Sequence, residues 1–169
     1  AGTAEIATNI YIDITSNNKI LETCLEYAID LVVVGPEKQF EQGLTNVLIE
    51  KNILVFGPTK EASLLETSKS FTKNMCRHKN IPSGKYEIFS TDADAQIFLR
   101  DQNAPYVIKA DGLAAGKGVL VSSDIEECFQ FISSIFKGKV GTEKNKVIIE
   151  EYLQGREMSV FFALSLIHI

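Results

Sequence analysis

Lys109 and Lys117 bracket a run of small residues, Ala110-Asp111-Gly112-Leu113-Ala114-Ala115-Gly116, and Gly118 follows directly. Glycine and alanine let backbone N–H groups come close to an anion, and lysine adds positive charge. That combination suits a flap that covers phosphate. It is not a Walker A loop, because the Gly112–Gly116 spacing is one residue short and Gly118 stands where a Ser or Thr would hold Mg2+. It is not a dinucleotide fingerprint either, since strand residues rather than a helix follow it. A tight β-hairpin with surface lysines is the plain alternative. From the pattern alone, both readings stand.

Three further segments could carry chemistry. Val147-Ile148-Ile149-Glu150 is an apolar strand that runs into Glu151-Tyr152-Leu153, with Glu157 a little beyond. Backbone groups at such a strand end can pair with an adenine edge, and an acid nearby can accept hydrogen bonds from ribose hydroxyls. An ordinary strand followed by exposed acids fits equally well. Lys69, in Glu66-Thr67-Ser68-Lys69-Ser70-Phe71, could reach a phosphate or simply be solvated. Gly35-Pro36-Glu37 ends a hydrophobic run, the position where open α/β sheets bind ligands, although a plain turn also fits. His78 and His168 suggest no catalytic pairing. No Ser-His-Asp, Cys-His or metal-ligand pattern is visible in the sequence.

The elements that must position these residues follow from periodicity. Asn9–Ile14 alternates like a half-buried strand, and Ile20, Leu21, Cys24, Leu25 and Ala28 recur at helical spacing behind Ser16 and Asn17. Leu31–Val34 and Ile53–Phe56 are short buried strands, each ended by Gly-Pro, with a helix predicted between them over Phe40–Lys51. This alternation implies βαβ units and a parallel sheet. A helix is predicted over Lys60–Lys79, broken near Thr67-Ser68. After it come strand Tyr86–Phe89, helix Asp92–Arg100, strands Tyr106–Lys109 and Val119–Ser122, helix Asp124–Phe136 and strand Lys146–Glu150. The polar loop over 138–145 reads as exposed. A domain boundary falls between residues 58 and 68, dividing the chain into 1–62 and 63–169.

Composition sets the outer limits. The chain has 169 residues, 45% hydrophobic and 23% charged, which is globular rather than disordered. A net charge of −5 argues against nucleic acid or an anionic membrane as partner, while leaving room for a local cationic pocket. Three scattered cysteines, Cys24, Cys76 and Cys128, without a CxxC pair, point to free thiols in a reducing compartment. No apolar run reaches the roughly 20 residues of a membrane span. The chain closes on the apolar run 160–169, without a cap or turn after it. We read its length as that of a piece.

Taken in order, the segments DLVVVGPE, FGPTKEASLLETSKSFTK, IPSGKYEIF, APYVIKADGLAAGKGVLV and VIIEEYLQGREMS resemble the phosphoribosylamine–glycine ligases (glycinamide ribonucleotide synthetases) of the ATP-grasp superfamily. KADGLAAGKGV is the most specific of them, because other ATP-grasp families carry different residues around this loop. The resemblance covers nearly the whole chain. It implies an α/β fold: a partial parallel-sheet, Rossmann-like domain that precedes the ATP-grasp fold, then the α+β lid of that fold. It also implies an ADP-forming ligase of purine biosynthesis, cytoplasmic and monomeric, that uses ATP with Mg2+ or Mn2+ to join glycine to 5-phosphoribosylamine through glycyl phosphate. Neither nucleic acid nor membrane is a partner in that reading.

Residue by residue, the resemblance gives phosphate contacts to Lys69 and Lys109. The flap falls to Ala114, Ala115, Gly116, Lys117 and Gly118. The adenine hinge falls to Glu150, Glu151, Tyr152 and Leu153, chiefly through backbone atoms, and the ribose acid to Glu157. Gly35, Pro36 and Glu37 lie on the phosphoribosylamine side. The family's first glycine-rich strand would precede Ala1 and its metal ligands would follow Ile169, so this chain alone is expected to hold no metal ligand and to be inactive. A different ATP-grasp carboxylate–amine ligase, or a polypeptide that only binds adenine nucleotide, are the alternatives.

Overall fold

A computed structural model describes residues 2–114, 116–141 and 146–160. Ala115, part of the 138–145 loop and the closing apolar run from 161 lie outside the described residues. The first half holds α1 (Asn17–Glu26), β1 (Leu31–Val33), α2 (Glu37–Glu41), α3 (Leu44–Glu50) and β2 (Leu54–Phe56). As the strand–helix alternation implies, β1 and β2 pair in parallel, with Leu31 opposite Leu54 and Val33 opposite Phe56. They are not buried strands, since those four side chains are exposed and only the other face packs on the core. Cys24, Leu44, Leu48 and Ile53 form a small core beneath them.

Two further expectations fail here. Asn9–Ile14 forms no strand; residues 8–13 have no regular structure and follow a short 3-10 turn over Gly2–Glu5. A strand persists only where a neighbour takes up its N–H and C=O groups. No described strand pairs with this segment, and Tyr11 stands 96% exposed. The helix predicted over Phe40–Lys51 is two helices, because Gly43 takes a left-handed φ of 76° between α2 and α3 and turns the chain.

The second half begins with α4 (Leu64–Thr67) and α5 (Lys69–Lys79), separated at Ser68, where the sequence predicts a break. Ser68 has an extended backbone and its side chain accepts from the Phe71 N–H, so it starts α5 as an N-cap. There follow β3 (Tyr86–Phe89), α6 (Asp92–Arg100), β4 (Tyr106–Ala110), β5 (Val119–Ser122), α7 (Ile125–Phe136) and β6 (Val147–Glu150). The four strands form an antiparallel sheet in the order β3-β6-β4-β5.

Alternation along the strands gives this sheet two unlike faces. Ile108, Ala110, Val147 and Ile149 point to one side, where they pack with Ala95 and Leu99 of α6 and Cys128, Phe129, Ile132 and Ile135 of α7. Asp124 caps α7 by accepting from the Glu126 N–H at 2.9 Å, and Thr91 caps α6 by accepting from the Asp94 N–H at 3.2 Å. Register places Tyr86, Val107, Lys109, Ile148 and Glu150 on the opposite face, near which α5 lies. All three cysteines are free, as expected.

The helix-covered side is the larger core, and Ile132 is fully buried within it. Ile132→Ala is expected to destabilise the protein by about 2–5 kcal/mol, through lost burial and the cavity left behind. Urea unfolding of the two proteins measures it, and a loss below about 1 kcal/mol would place the core elsewhere.

Candidate functional site

The start of α5 is joined to the end of β4 by one carboxylate. Asp111 is 3% exposed. It accepts from the Ser70 hydroxyl at 2.5 Å, the Ser70 N–H at 3.2 Å, the Gly112 N–H at 3.0 Å and the Ser68 hydroxyl at 3.2 Å. Burial pushes its carboxyl up. The hydrogen bonds from Ser70, Gly112 and Ser68 outweigh that effect and hold it below the ordinary 3.8. Its charge also sits at the first turn of α5, where unpaired N–H groups favour an anion.

Lys69 leaves the same turn, and its Nζ donates to the Gly112 carbonyl at 2.9 Å. Burial pushes this ammonium below its ordinary 10.5, Asp111 draws it back up, and Lys109 pushes it down again. Lys69 and Lys109 both line one cavity.

One turn further along α5, Lys73 meets the Glu150 carboxylate through Oε1 and donates to Ser83 Oγ at 2.7 Å and Gly84 O at 3.4 Å. Lys109 approaches the same carboxylate from β4, with Nζ 2.7 Å from Oε2. That contact has ion-pair distance but not the angle of a directed hydrogen bond, and Oε2 has no such bond among the described residues. Gly84 makes room for the group, since a Cβ there would lie 2.9 Å from Glu150 Oε1.

Above this face opens a cavity of about 900 Å3. Lys69, Lys73, Lys109, Ile148 and Glu150 line one wall, Leu113, Ala114, Gly116 and Lys117 form its loop side, and Glu37, Lys38 and Glu41 of α2 stand opposite. The loop is the turn of the β4–β5 hairpin, as one of the two readings of the sequence has it. Its neck is closed by the Ala110 N–H donating to Gly118 O at 2.7 Å. Its tip folds back through the Lys117 N–H donating to Ala114 O at 2.9 Å. Gly112 and Gly116 take φ of 87° and 78°, a region that strongly favours glycine.

The cavity thus gathers Lys69, Lys109, Ala114, Gly116, Lys117, Glu150 and Glu37 from the residues singled out in the sequence. Gly118 is buried at the loop's neck, while Ala115 lies outside the described residues. Glu151 and Tyr152 border a neighbouring cavity of about 620 Å3 that shares Glu150. Leu153, Glu157, Gly35 and Pro36 are exposed and line neither cavity. Glu150, expected to act through its backbone, engages two lysines with its side chain. Sequence reasoning passed over Lys73 and the role of Asp111. Lys73 had a usable signal, since it lies four residues after Lys69 and therefore on the same helix face.

Comparison with known proteins fits this geometry. Residues 67–166 match the phosphoribosylglycinamide synthetase ATP-grasp (A) domain, and residues 1–66 match the N domain of the same synthetase. Fold and site therefore define an ATP-grasp protein. More particularly, the chain belongs to the phosphoribosylglycinamide synthetase family. It is 46% identical over 154 residues to the chloroplastic phosphoribosylamine–glycine ligase of Arabidopsis thaliana, covering 90% of this chain and 29% of the relative. It is 44% identical to the ligase of Agrobacterium fabrum, covering 97% of this chain and 38% of that protein. The crystal structure of the Thermotoga maritima phosphoribosylamine–glycine ligase superimposes with a TM-score of 0.73 at 31% identity, over 92% of this chain and 37% of the other. The chain thus spans little more than a third of the length of these bacterial relatives.

A carboxyl held below its ordinary value stabilises the fold fully above that value, and the contribution fades as pH falls through the lowered one. For Asp111 the window lies below about 3.8. Asp111→Asn is expected to cost about 1.5–3 kcal/mol at neutral pH and to flatten the acid side of the stability profile. Urea midpoints measured from pH 7 down to pH 3 test this. Parallel profiles for the two proteins would remove Asp111 from the role.

Proposed function

We propose that this chain supplies the triphosphate-binding part of an ADP-forming ligase that joins glycine to 5-phosphoribosylamine. The observation that carries the reading is the convergence of Lys69, Lys109 and the glycine-rich loop with Lys117 on one cavity. Ammonium groups and loop amides neutralise the charge that builds up as a phosphoryl group moves. In the reaction, a glycine carboxylate oxygen bonds to the γ-phosphorus as the bridging bond to ADP breaks. The phosphoribosylamine nitrogen then attacks the acyl carbon, phosphate leaves, and the nitrogen gives up a proton. Positioning and charge neutralisation suffice for these steps, so no nucleophilic side chain is required.

Within this reading, Glu150–Leu153 accept the adenine edge, Glu157 accepts the ribose hydroxyls, and Gly35-Pro36-Glu37 faces phosphoribosylamine. Mg2+ or Mn2+ accompanies the nucleotide. Among the described residues no three His, Cys, Asp or Glu side chains gather to hold a metal, so no step is assigned to one here. A monomer acting in the cytoplasm completes the proposal; one matched relative is named as chloroplastic. Among the described residues no helix is long and apolar enough to cross a membrane.

Two measurements test this. Calorimetric titration of the chain with ATP is expected to show saturable binding, weakened by about 1.5–3 kcal/mol in Lys109→Ala, the scale of a lost charge-assisted hydrogen bond. Equal affinities would dismiss Lys109. In a protein of the relatives' full length carrying this chain, ADP release should require both glycine and phosphoribosylamine, and release indifferent to glycine would overturn the ligase assignment.

A further inference from the structure

Glu150 presents a problem of charge. Its side chain is 8% exposed and lies between two ammonium groups, Lys73 at 13% and Lys109 at 28% exposure. A desolvated carboxylate paired with one lysine forms a neutral unit and holds that lysine tightly. Paired with two, it leaves one net positive charge at the cavity. The two lysines are not equivalent. Lys73 also lines the cavity, but its ammonium is committed to Ser83 Oγ, Gly84 O and Glu150, and it can serve another anion only by giving up those bonds. Lys109 is the more exposed of the two, and its contact with Oε2 is an unaligned one.

We propose that Lys73 is a positioning residue for the phosphate site: by holding the Oε1 side of the Glu150 carboxylate, it leaves the charge of Lys109 available to a nucleotide phosphate. Lys73 itself touches no phosphate. Without it, Glu150 claims Lys109 entirely, and the cavity loses its net charge at that point. The Tyr86 ring, 5.6 Å from Lys73 Nζ, adds a weak attraction for the ammonium. This inference rests on the nucleotide reading above and adds to it a residue that neither the sequence nor the comparisons assign.

The test is calorimetric titration with ATP and, separately, with adenosine, on the unaltered chain, Lys73→Met, Lys73→Arg, and the double variant Lys73→Met/Glu150→Gln. Methionine keeps an apolar stem in place of the lysine methylenes and removes the charge together with its hydrogen bonds to Ser83 and Gly84. Lys73→Met is expected to weaken ATP about tenfold, the scale of one charge-assisted contact, while adenosine changes less than about twofold. The double variant, which has no carboxylate left to capture Lys109 and keeps the Glu150 backbone assigned to adenine, should bind ATP more tightly than Lys73→Met does. Unchanged ATP affinity in Lys73→Met, equal losses for ATP and adenosine, or failure of the double variant to recover would each overturn the inference. Should Lys73→Met not fold, Lys73→Arg decides: ATP affinity within about twofold of the unaltered chain supports the charge role, and a tenfold loss removes it. If the unaltered chain itself fails to bind ATP, the nucleotide reading falls rather than the assignment of Lys73 within it.

Discussion

Lysines of like charge cannot be crowded around a half-buried cavity unless carboxylates are set between them. Here α5 carries two of the lysines, and each end of the arrangement has its own acid. Asp111 takes the first turn of the helix and lies beside Lys69, and Glu150 meets Lys73 one turn later. Both acids belong to the four-stranded sheet or its immediate end, so the same contacts that offset the repulsion also fix the helix to the sheet. Removing either acid would leave a cation without compensation and a helix without an anchor. The electrostatics of the site and the packing of the fold are one set of bonds.

The two faces of the sheet divide the work. On the helix side, Ile108, Val147 and Ile149 are buried against α6 and α7 and hold the strands rigid. On the other side, Lys109 and Glu150 project from adjacent strands of that rigid base. A charged side chain placed mid-strand is held more precisely than one on a loop, which matters when its partner is a phosphate oxygen. The loop between Ala110 and Gly118 supplies what a strand cannot, a turn that brings Leu113, Ala114, Gly116 and Lys117 to the border of the cavity.

What could be read from the sequence follows the range of the signals. Helices α6 and α7 emerge with nearly their predicted bounds because a capping Thr91 or Asp124 coincides with helical periodicity. The break before α5 was legible for the same reason, through Ser68. Asn9–Ile14 had the alternation of a strand, but alternation says nothing about whether a partner strand exists. Gly43 shows the opposite failure, since one residue in a left-handed conformation overrode an otherwise continuous helical pattern. In the site, Lys69, Lys109 and the loop could be found because glycine spacing and lysine content are local. The Lys73–Glu150 pair spans 77 residues and the Ser70–Asp111 bond 41, so nothing local marks either. Only the fold brings them together.

The neck of the loop has a consequence for heredity. Gly118 lies so close under the loop's tip that a Cβ there would stand 2.5 Å from that of Ala114. Every glycine codon becomes an alanine codon by a single base change, so the substitution is among those most readily produced by mutation. It is also among those least easily absorbed, because the obstructing atom is a fixed methyl rather than the end of a flexible chain. One added carbon would force Ala114 and the loop's neck apart. A change one base away in the gene thus meets its resistance in the shape of a single loop.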